Sequence, residues 1–224
     1  SGGGAVYHDQ GNLNFAWISR RTELDLDATF GMVLDALLSA GIAAARRAQG
    51  SLTVGGLKVS GSAFAYRLGA ALHHGTLLVA ADLELLRRCL RPTLEDVHTR
   101  AIASRPSRVA NLDGTVPGLT VERMEEVLQC AFARATGGPV LEVDERSLEP
   151  PAEAVTTLAG WDWTWGQTPP FTWTVRAPFA GAGDQLQLEI EAARVVQARW
   201  VGMTPFPGGH EALLSALAGC RFEA

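Results

Sequence analysis

Lys58 is the only lysine in a chain of 224 residues, although 19 residues are Lys or Arg. GC-rich codon usage accounts for the missing lysines, since Ala and Arg abound. It also makes the retained one conspicuous, because arginine cannot reproduce a compact three-donor ammonium at a crowded position. Three stretches rich in small residues hold the conspicuous polar groups: SGGGAVYHD at the start, GLKVSGSA around Lys58, and HHGT at residues 73–76. Glycines beside an apolar strand let backbone N–H groups approach phosphate or carboxylate oxygens closely. An ammonium held there would stabilise charge building on a phosphoryl or acyl centre.

Each stretch also has a plainer reading. SGGG alone resembles a linker, and a strand lysine is commonly a solvated edge residue. No GxxxxGK[ST] spacing or dinucleotide fingerprint is present. His73 and His74 are strand neighbours that point to opposite faces, with no third ligand nearby in sequence, which disfavours a metal triad. Ser60 and Ser62 lack the GxSxG elbow of a nucleophile, so turn or packing roles are expected.

These groups need elements to position them. AVYH and NLNFAWIS read as strands separated by a DQGN turn. Leu26 to about Ala40 predicts a helix with Phe30, Val33, Leu34, Leu37 and Leu38 on one stripe, stopped by Gly41. SLTV and LKVSGSAFAY predict two strands joined by Gly55-Gly56, and ALHHGTLLVAA another. Asp82 is expected to cap the helix DLELLRRCL. RAIASRPSRVANL has no clean period and reads as a loop or clamp. TVERMEEVLQCAFARATGG predicts a helix capped by Thr120, lined by Leu128, Ala131 and Phe132, and ended by Gly137-Gly138. Val140–Val143 reads as a short strand. A Pro- and Glu-rich stretch near 148–154 marks a boundary. Beyond it come WDWTWGQTPPFTW, the strands QLQLEIEAA and RVVQARWVG, and a helix at about His210–Leu217.

The expected class is therefore α/β (α+β): a mixed sheet flanked by helices, with a small C-terminal α+β domain. Hydrophobic residues make up 47% and the net charge is -5, which argues against a nucleic-acid binder. The tryptophans are accordingly read as packing residues rather than base-stacking platforms. Cys89, Cys130 and Cys220 fit no metal or redox spacing and are expected to be buried thiols in a reducing compartment. Cys89 in particular shares a predicted stripe with Leu85, Leu86 and Leu90. No segment has the apolar length of a membrane span and no signal peptide precedes the first motif, so a cytoplasmic protein is expected.

In order and wording, the stretches SGGGAVYHDQGN, KVSGSA, HHGTLLVAADLELL and SRVANL resemble the lipoate-protein ligases and related lipoyltransferases. WDWTWGQTPPF is similar to the signature of that family's accessory domain, and the biotin-ligase signature GRGRxGRxW is absent. The resemblance implies the fold of biotin and lipoate ligases, with residues 1–147 catalytic and 153–224 accessory. It implies activation of lipoate with ATP and Mg²⁺ to lipoyl-AMP. The lipoyl group would then pass to a lysine on a lipoyl domain of a 2-oxoacid dehydrogenase E2 subunit or on the glycine-cleavage H protein. Carried over, Gly4, Ala5, Val6 and Tyr7 match the strand that contacts the nucleotide. Gly2 and Gly3 match the backbone lining the lipoyl carbonyl and phosphate. Lys58 matches the lysine that binds the α-phosphate and lipoyl carboxyl oxygen, while His8 and His74 are read as phosphate or adenylate contacts.

The family's pattern has Arg-Arg before SGGG, so the resemblance implies a catalytic domain lacking its N-terminal segment. Relatives also carry an Asn-Asp-Leu stretch where this chain has AQGSLTVGGL. Alternatives within the superfamily are a lipoyltransferase using preformed lipoyl-AMP and an acyl transferase using Cys89. Outside it stands a non-catalytic module that binds lipoyl domains. The expected partners are acceptor domains, with neither nucleic acid nor membrane, and the expected state is a monomer, placed in the mitochondrion if the source is eukaryotic.

Overall fold

The computed structural model describes residues 4–47, 50–91, 95–101, 106–138, 141, 143–176, 183–203 and 209–222. Two compact units emerge: Ser1–Arg91 with Ala103–Glu142, and Pro92–Ile102 with Val143–Ala224. In chain order the first unit holds β1 (Asn12–Arg20), α1 (Leu26–Ser39), β2 (Ala45–Arg47), β3 (Ser51–Val54), β4 (Leu57–Arg67), β5 (Ala70–Leu78) and α2 (Leu83–Cys89). After β6 (Val97–Thr99), which belongs to the second unit, it resumes with α3 (Val121–Thr136).

The first sheet runs β1-β5-β4-β3-β2 with antiparallel ladders. The parallel pairing among the described residues is a single bridge between Lys58 and Val109. Sheet and flanking helices give the α+β class expected from the sequence.

Side-chain alternation decides which face of this sheet is covered. In β1, Leu13 and Phe15 pack on the core, while Asn14, Ala16 and Ile18 are exposed. α1 begins because the Asp25 carboxylate accepts the N–H groups of Asp27 and Ala28, replacing partners that a first turn lacks. It buries Phe30, Val33, Ala36 and Leu37. α3 begins at Thr120, whose hydroxyl accepts the N–H of Arg123, and ends at a left-handed Gly137. It buries Met124, Val127 and Ala131. These two helices close the core with Ile42, Leu52, Val59, Leu77, Val79 and Leu112. Truncating a fully buried side chain such as Leu37 to alanine would cost roughly 2–5 kcal/mol.

Three expectations are corrected. AVYH is not a strand, and residues 5–9 have no regular structure. Leu38 is 65% exposed and Phe132 39% exposed, so both helical stripes are narrower than expected and lie one position away, through Ala36 in α1 and Val127 in α3. Cys89, Cys130 and Cys220 are all exposed rather than buried. For Cys89 the reason is that α2 is a seven-residue surface helix that buries none of its residues. The strand expected at Val140–Val143 falls largely outside the described residues.

In the second unit α4 (Ala152–Ala159) and α5 (Trp161–Thr164) lead into β7 (Phe171–Arg176), β8 (Gln185–Glu191), β9 (Arg194–Val201) and α6 (His210–Leu217). The antiparallel order is β6-β7-β8-β9. Leu188, Ile190 and Val195 form its core with Phe171, Trp173, Leu217 and Phe222 packed around them. The WDWTW tryptophans serve packing in part. Arg221 sits 4.4 Å over the Trp161 ring, whereas Trp163 is half exposed. Among the described residues no helix is long and apolar enough to cross a membrane.

Candidate active site

Lys58 sits where three chain segments meet. It pairs with Thr53 across β3–β4, next to a register shift at Leu52/Thr53. On its other side, its N–H donates to the Arg108 carbonyl at 2.9 Å, and its carbonyl accepts the Ala110 N–H at 3.0 Å. The segment read as a loop or clamp thus runs beside β4 and fixes the backbone at Lys58. The side chain is half-buried and folds along its own strand. A Cβ built on Gly61 would lie 3.3 Å from both Cε and Nζ of Lys58. Gly61 therefore leaves the bare backbone against which the ammonium rests.

Register identifies the face that carries this ammonium. Gly61 pairs with Thr76 and Ala63 with His74, while Asn14 and Ala16 of β1 oppose Thr76 and His74. Directly paired residues share a face. Lys58, His74 and Thr76 consequently line one surface with Asn14 and the small residues Gly61, Ala63 and Ala16. Such a surface suits an extended ligand lying flat, with an anionic end at the ammonium. His73 takes the opposite face, as the alternation predicted.

His73 is fully buried. Its Nδ1 lies 2.8 Å from the Thr29 hydroxyl oxygen. That hydroxyl already donates to the Leu26 carbonyl at 3.1 Å, so the proton between His73 and Thr29 belongs to Nδ1. Phe30, Phe64 and Phe15 surround the ring at 4.6, 4.8 and 5.5 Å between centroids, and Nε2 meets no hydrogen-bonding protein group. Burial, reinforced by Arg46 and His74, pushes the imidazole down to about 4. His73 is thus a neutral core residue. The Ser60 and Ser62 hydroxyls are likewise buried, which removes them as accessible nucleophiles.

The glycine-rich segment is held by side chains instead of a ladder. Asp9 accepts the Gly11 N–H at 2.8 Å through Oδ1. Its Oδ2 accepts the Asp82 N–H at 2.7 Å and the Tyr7 hydroxyl at 3.0 Å. Asn12 donates to the Tyr7 carbonyl at 3.2 Å. Partial burial opposes ionisation of Asp9, but the N–H groups of Asp82 and Gly11 and the Tyr7 hydroxyl outweigh it and hold the carboxyl below its ordinary range. The Tyr7 phenol is pushed up to about 12 by burial and by the Asp9 carboxylate. Gly4, Ala5, Val6 and His8 are exposed and Tyr7 is half-buried. Gly2 and Gly3 lie outside the described residues.

Lys58 and His74 are therefore brought to one face, and Tyr7 is tied through Asp9 to Asp82 at the start of α2. Sequence reading missed the supports: Asp9, Asn12, Asn111 and the 108–112 segment. The available signal was the side chains able to bond backbone, Asp9 before a Gln-Gly turn and Asn111 closing SRVAN. Elsewhere, a cleft of about 360 Å³ in the second unit is lined by Thr157, Trp161, Asp162, Trp163 and Gln167. It contains none of the residues expected to bind ligand.

Comparison with known proteins places this geometry. The P. falciparum protein LipL1, solved in complex with lipoate, superposes with a TM-score of 0.60 at 24% identity, over 89% of this chain and 59% of its own. The chain thus spans about three-fifths of that relative's length. The bipartite lipoate protein ligase of Thermoplasma acidophilum, studied with its E2 lipoyl domain, gives 0.54 at 22% identity, over 80% of this chain and 71% of its own. Both likenesses establish the fold. The Lipoyl protein ligase A/B catalytic domain family matches residues 1–133, which include every element of the first sheet and the segment beside Lys58. The chain belongs to that family.

Proposed function

We propose that this protein is a lipoate-protein ligase, joining lipoate to ATP as lipoyl-AMP and passing the acyl group to a lysine of a lipoyl domain. The observation that carries the reading is the Lys58 ammonium laid against Gly61, on the small-residue face shared with His74 and Thr76. A carboxylate attacking an α-phosphorus brings two anions together, and one cation between them lowers that barrier. In the first step a carboxylate oxygen bonds to the α-phosphorus and the bond to the β-phosphate oxygen breaks, releasing pyrophosphate. In the second, an acceptor amine bonds to the acyl carbon and loses its proton, while the bond to the AMP oxygen breaks. Lys58 serves both steps by holding the oxygens on either side of the reacting centre.

The glycine-rich segment, with Gly4, Ala5, Val6, Tyr7 and His8, would contact the nucleotide. Gly2 and Gly3 would line the acyl-phosphate, and His74 would meet the adenylate from the sheet. Mg²⁺ has no resident site of the usual kind among the described residues: no cluster of three His, Cys, Asp or Glu forms. The nearby carboxylates are also engaged, Asp9 by three donors and Asp82 by the N–H groups of Glu84 and Leu85. The acceptor would be a lipoyl domain of a 2-oxoacid dehydrogenase or the glycine-cleavage H protein.

Lipoate-dependent exchange of labelled pyrophosphate into ATP tests the proposal. The wild-type protein should catalyse it, and Lys58→Ala should abolish it with the fold intact. Transfer from supplied lipoyl-AMP without exchange would reassign the protein as a lipoyltransferase. Loss of both activities in the wild type would leave a module that binds lipoyl domains without modifying them.

A further inference from the structure

The connector from the end of β5 to the start of α2, Leu78–Asp82, is gripped from two sides. From the glycine-rich segment, the Gly11 carbonyl accepts the N–H groups of Val79 and Ala80, both at 3.0 Å. Asp9 accepts that of Asp82 at 2.7 Å. From the segment beside Lys58, the Asn111 amide bonds both polar groups of Ala81. It accepts the N–H at 3.2 Å and donates to the carbonyl at 2.8 Å. Leu112 N–H donates to Leu78 at 2.8 Å and Asp113 N–H to Val79 at 3.0 Å. Two residues before Leu112, Ala110 donates to the Lys58 carbonyl. One five-residue connector therefore carries, through backbone and two side chains, both Asp9–Gly11 at the end of the glycine-rich segment and the segment bonded to Lys58.

We propose that Asp9 and Asn111 are paired positioning residues that set the glycine-rich segment and the Lys58 ammonium at a fixed separation through Leu78–Asp82. The proposal rests on the ligase reading for its catalytic consequence and on the hydrogen bonds alone for its mechanical one. Neither residue touches substrate. A carboxylate suits position 9 because it takes two backbone donors and a phenol at once, and an amide has a single acceptor oxygen. An amide suits position 111 because it must accept from the N–H of Ala81 and donate to the carbonyl of the same residue. Reacting groups misplaced by about 1 Å can lose on the order of a hundredfold in rate, so a bracket of this kind bears on the chemistry without taking part in it.

Two measurements on the full chain test the bracket. The first is amide hydrogen exchange. Asp9→Asn should speed exchange about tenfold at residues 79–82. It should also speed exchange at residues 110–113, which Asp9 does not touch, while residues 185–191 in β8 keep wild-type rates. Unchanged exchange at 110–113 would overturn the shared bracket whatever the enzyme does. The second is pyrophosphate exchange kinetics. Asp9→Asn should raise KM for ATP about tenfold with KM for lipoate within twofold, while Asn111→Asp should lower kcat about tenfold. The double variant should lose clearly less than the product of the two single losses, because both act through one connector. Full multiplicativity, or an apparent kcat that falls in proportion to the folded fraction with both KM values unchanged, would leave two independent structural residues and defeat the proposal. A wild-type protein without exchange activity would sink the ligase reading alone, and the amide measurement would still decide the bracket.

Discussion

Lys58 and His73 are two cationic side-chain types handled oppositely by one sheet. Lys58 lies at a half-buried surface where Gly61 leaves bare backbone beside its side chain. A guanidinium is broader, planar and fork-shaped, so Lys58→Arg is expected to reduce lipoate-dependent pyrophosphate exchange at least about a hundredfold despite preserving the charge. Near-wild-type exchange in Lys58→Arg would mean that charge alone suffices there. His73 instead gives up its charge. Its value in the fold, about 4, lies below the ordinary 6.5, so the unfolded chain binds the extra proton between those pH values. The contribution is fully present above about pH 6.5 and is lost as the pH falls toward 4, amounting to roughly 3 kcal/mol at most. Denaturant midpoints measured from pH 7 to 4 should fall less steeply in His73→Phe than in wild type. Parallel slopes would remove His73 as the cause of acid sensitivity.

At the scale of elements, long periodic segments were legible and short irregular ones were not. α1, α3, β4 and β5 have caps, turns and alternation strong enough to mark them, and the sheet they form puts Lys58 and His74 on one face. AVYH misled because a small-apolar-aromatic run looks like a strand. Its backbone is held instead through Asp9 and Asn12, and side-chain bonding of that kind leaves no period to read. The segment at 108–112 could be read only as a loop or clamp for the same reason: one bridge, several backbone bonds and one amide do its work. Cys89 failed because a thiol on a predicted stripe is buried only if the helix itself packs, whereas Cys130 sits on the exposed side of the packed α3. Gly11 offers a test at this scale. A Cβ there would collide with the carbonyl of Ala80, the residue whose N–H the Gly11 carbonyl itself accepts. Gly11→Ala should therefore cost roughly 2–3 kcal/mol and lower exchange activity with it. Gly138→Ala, where a Cβ meets nothing within 4 Å, should stay within about 0.5 kcal/mol of wild type. Equal urea midpoints for the two variants would show that the connector yields.

For the whole molecule, chain order and spatial membership diverge. The second unit takes Pro92–Ile102 from the middle of the sequence, and its three residues in β6 are too few to carry a readable period. Their effect is larger than their number. β6 covers the outer edge of β7, pairing Val97 with Trp173 and Thr99 with Phe171. The Asp96 carbonyl accepts the Thr174 N–H at 3.2 Å, and the Thr99 hydroxyl donates to Pro170 at 3.3 Å. Without β6, the strand FTWTVR becomes an open edge, aromatic and β-branched, of the kind that templates association. A fragment of residues 143–224 is therefore expected to melt several degrees lower than the same fragment carrying residues 92–102 on a flexible N-terminal linker. It should also elute partly as oligomers in size-exclusion chromatography. Identical melting and a single monomer peak for both would show that β7 tolerates an open edge, and that the inserted strand serves something other than the stability of its sheet.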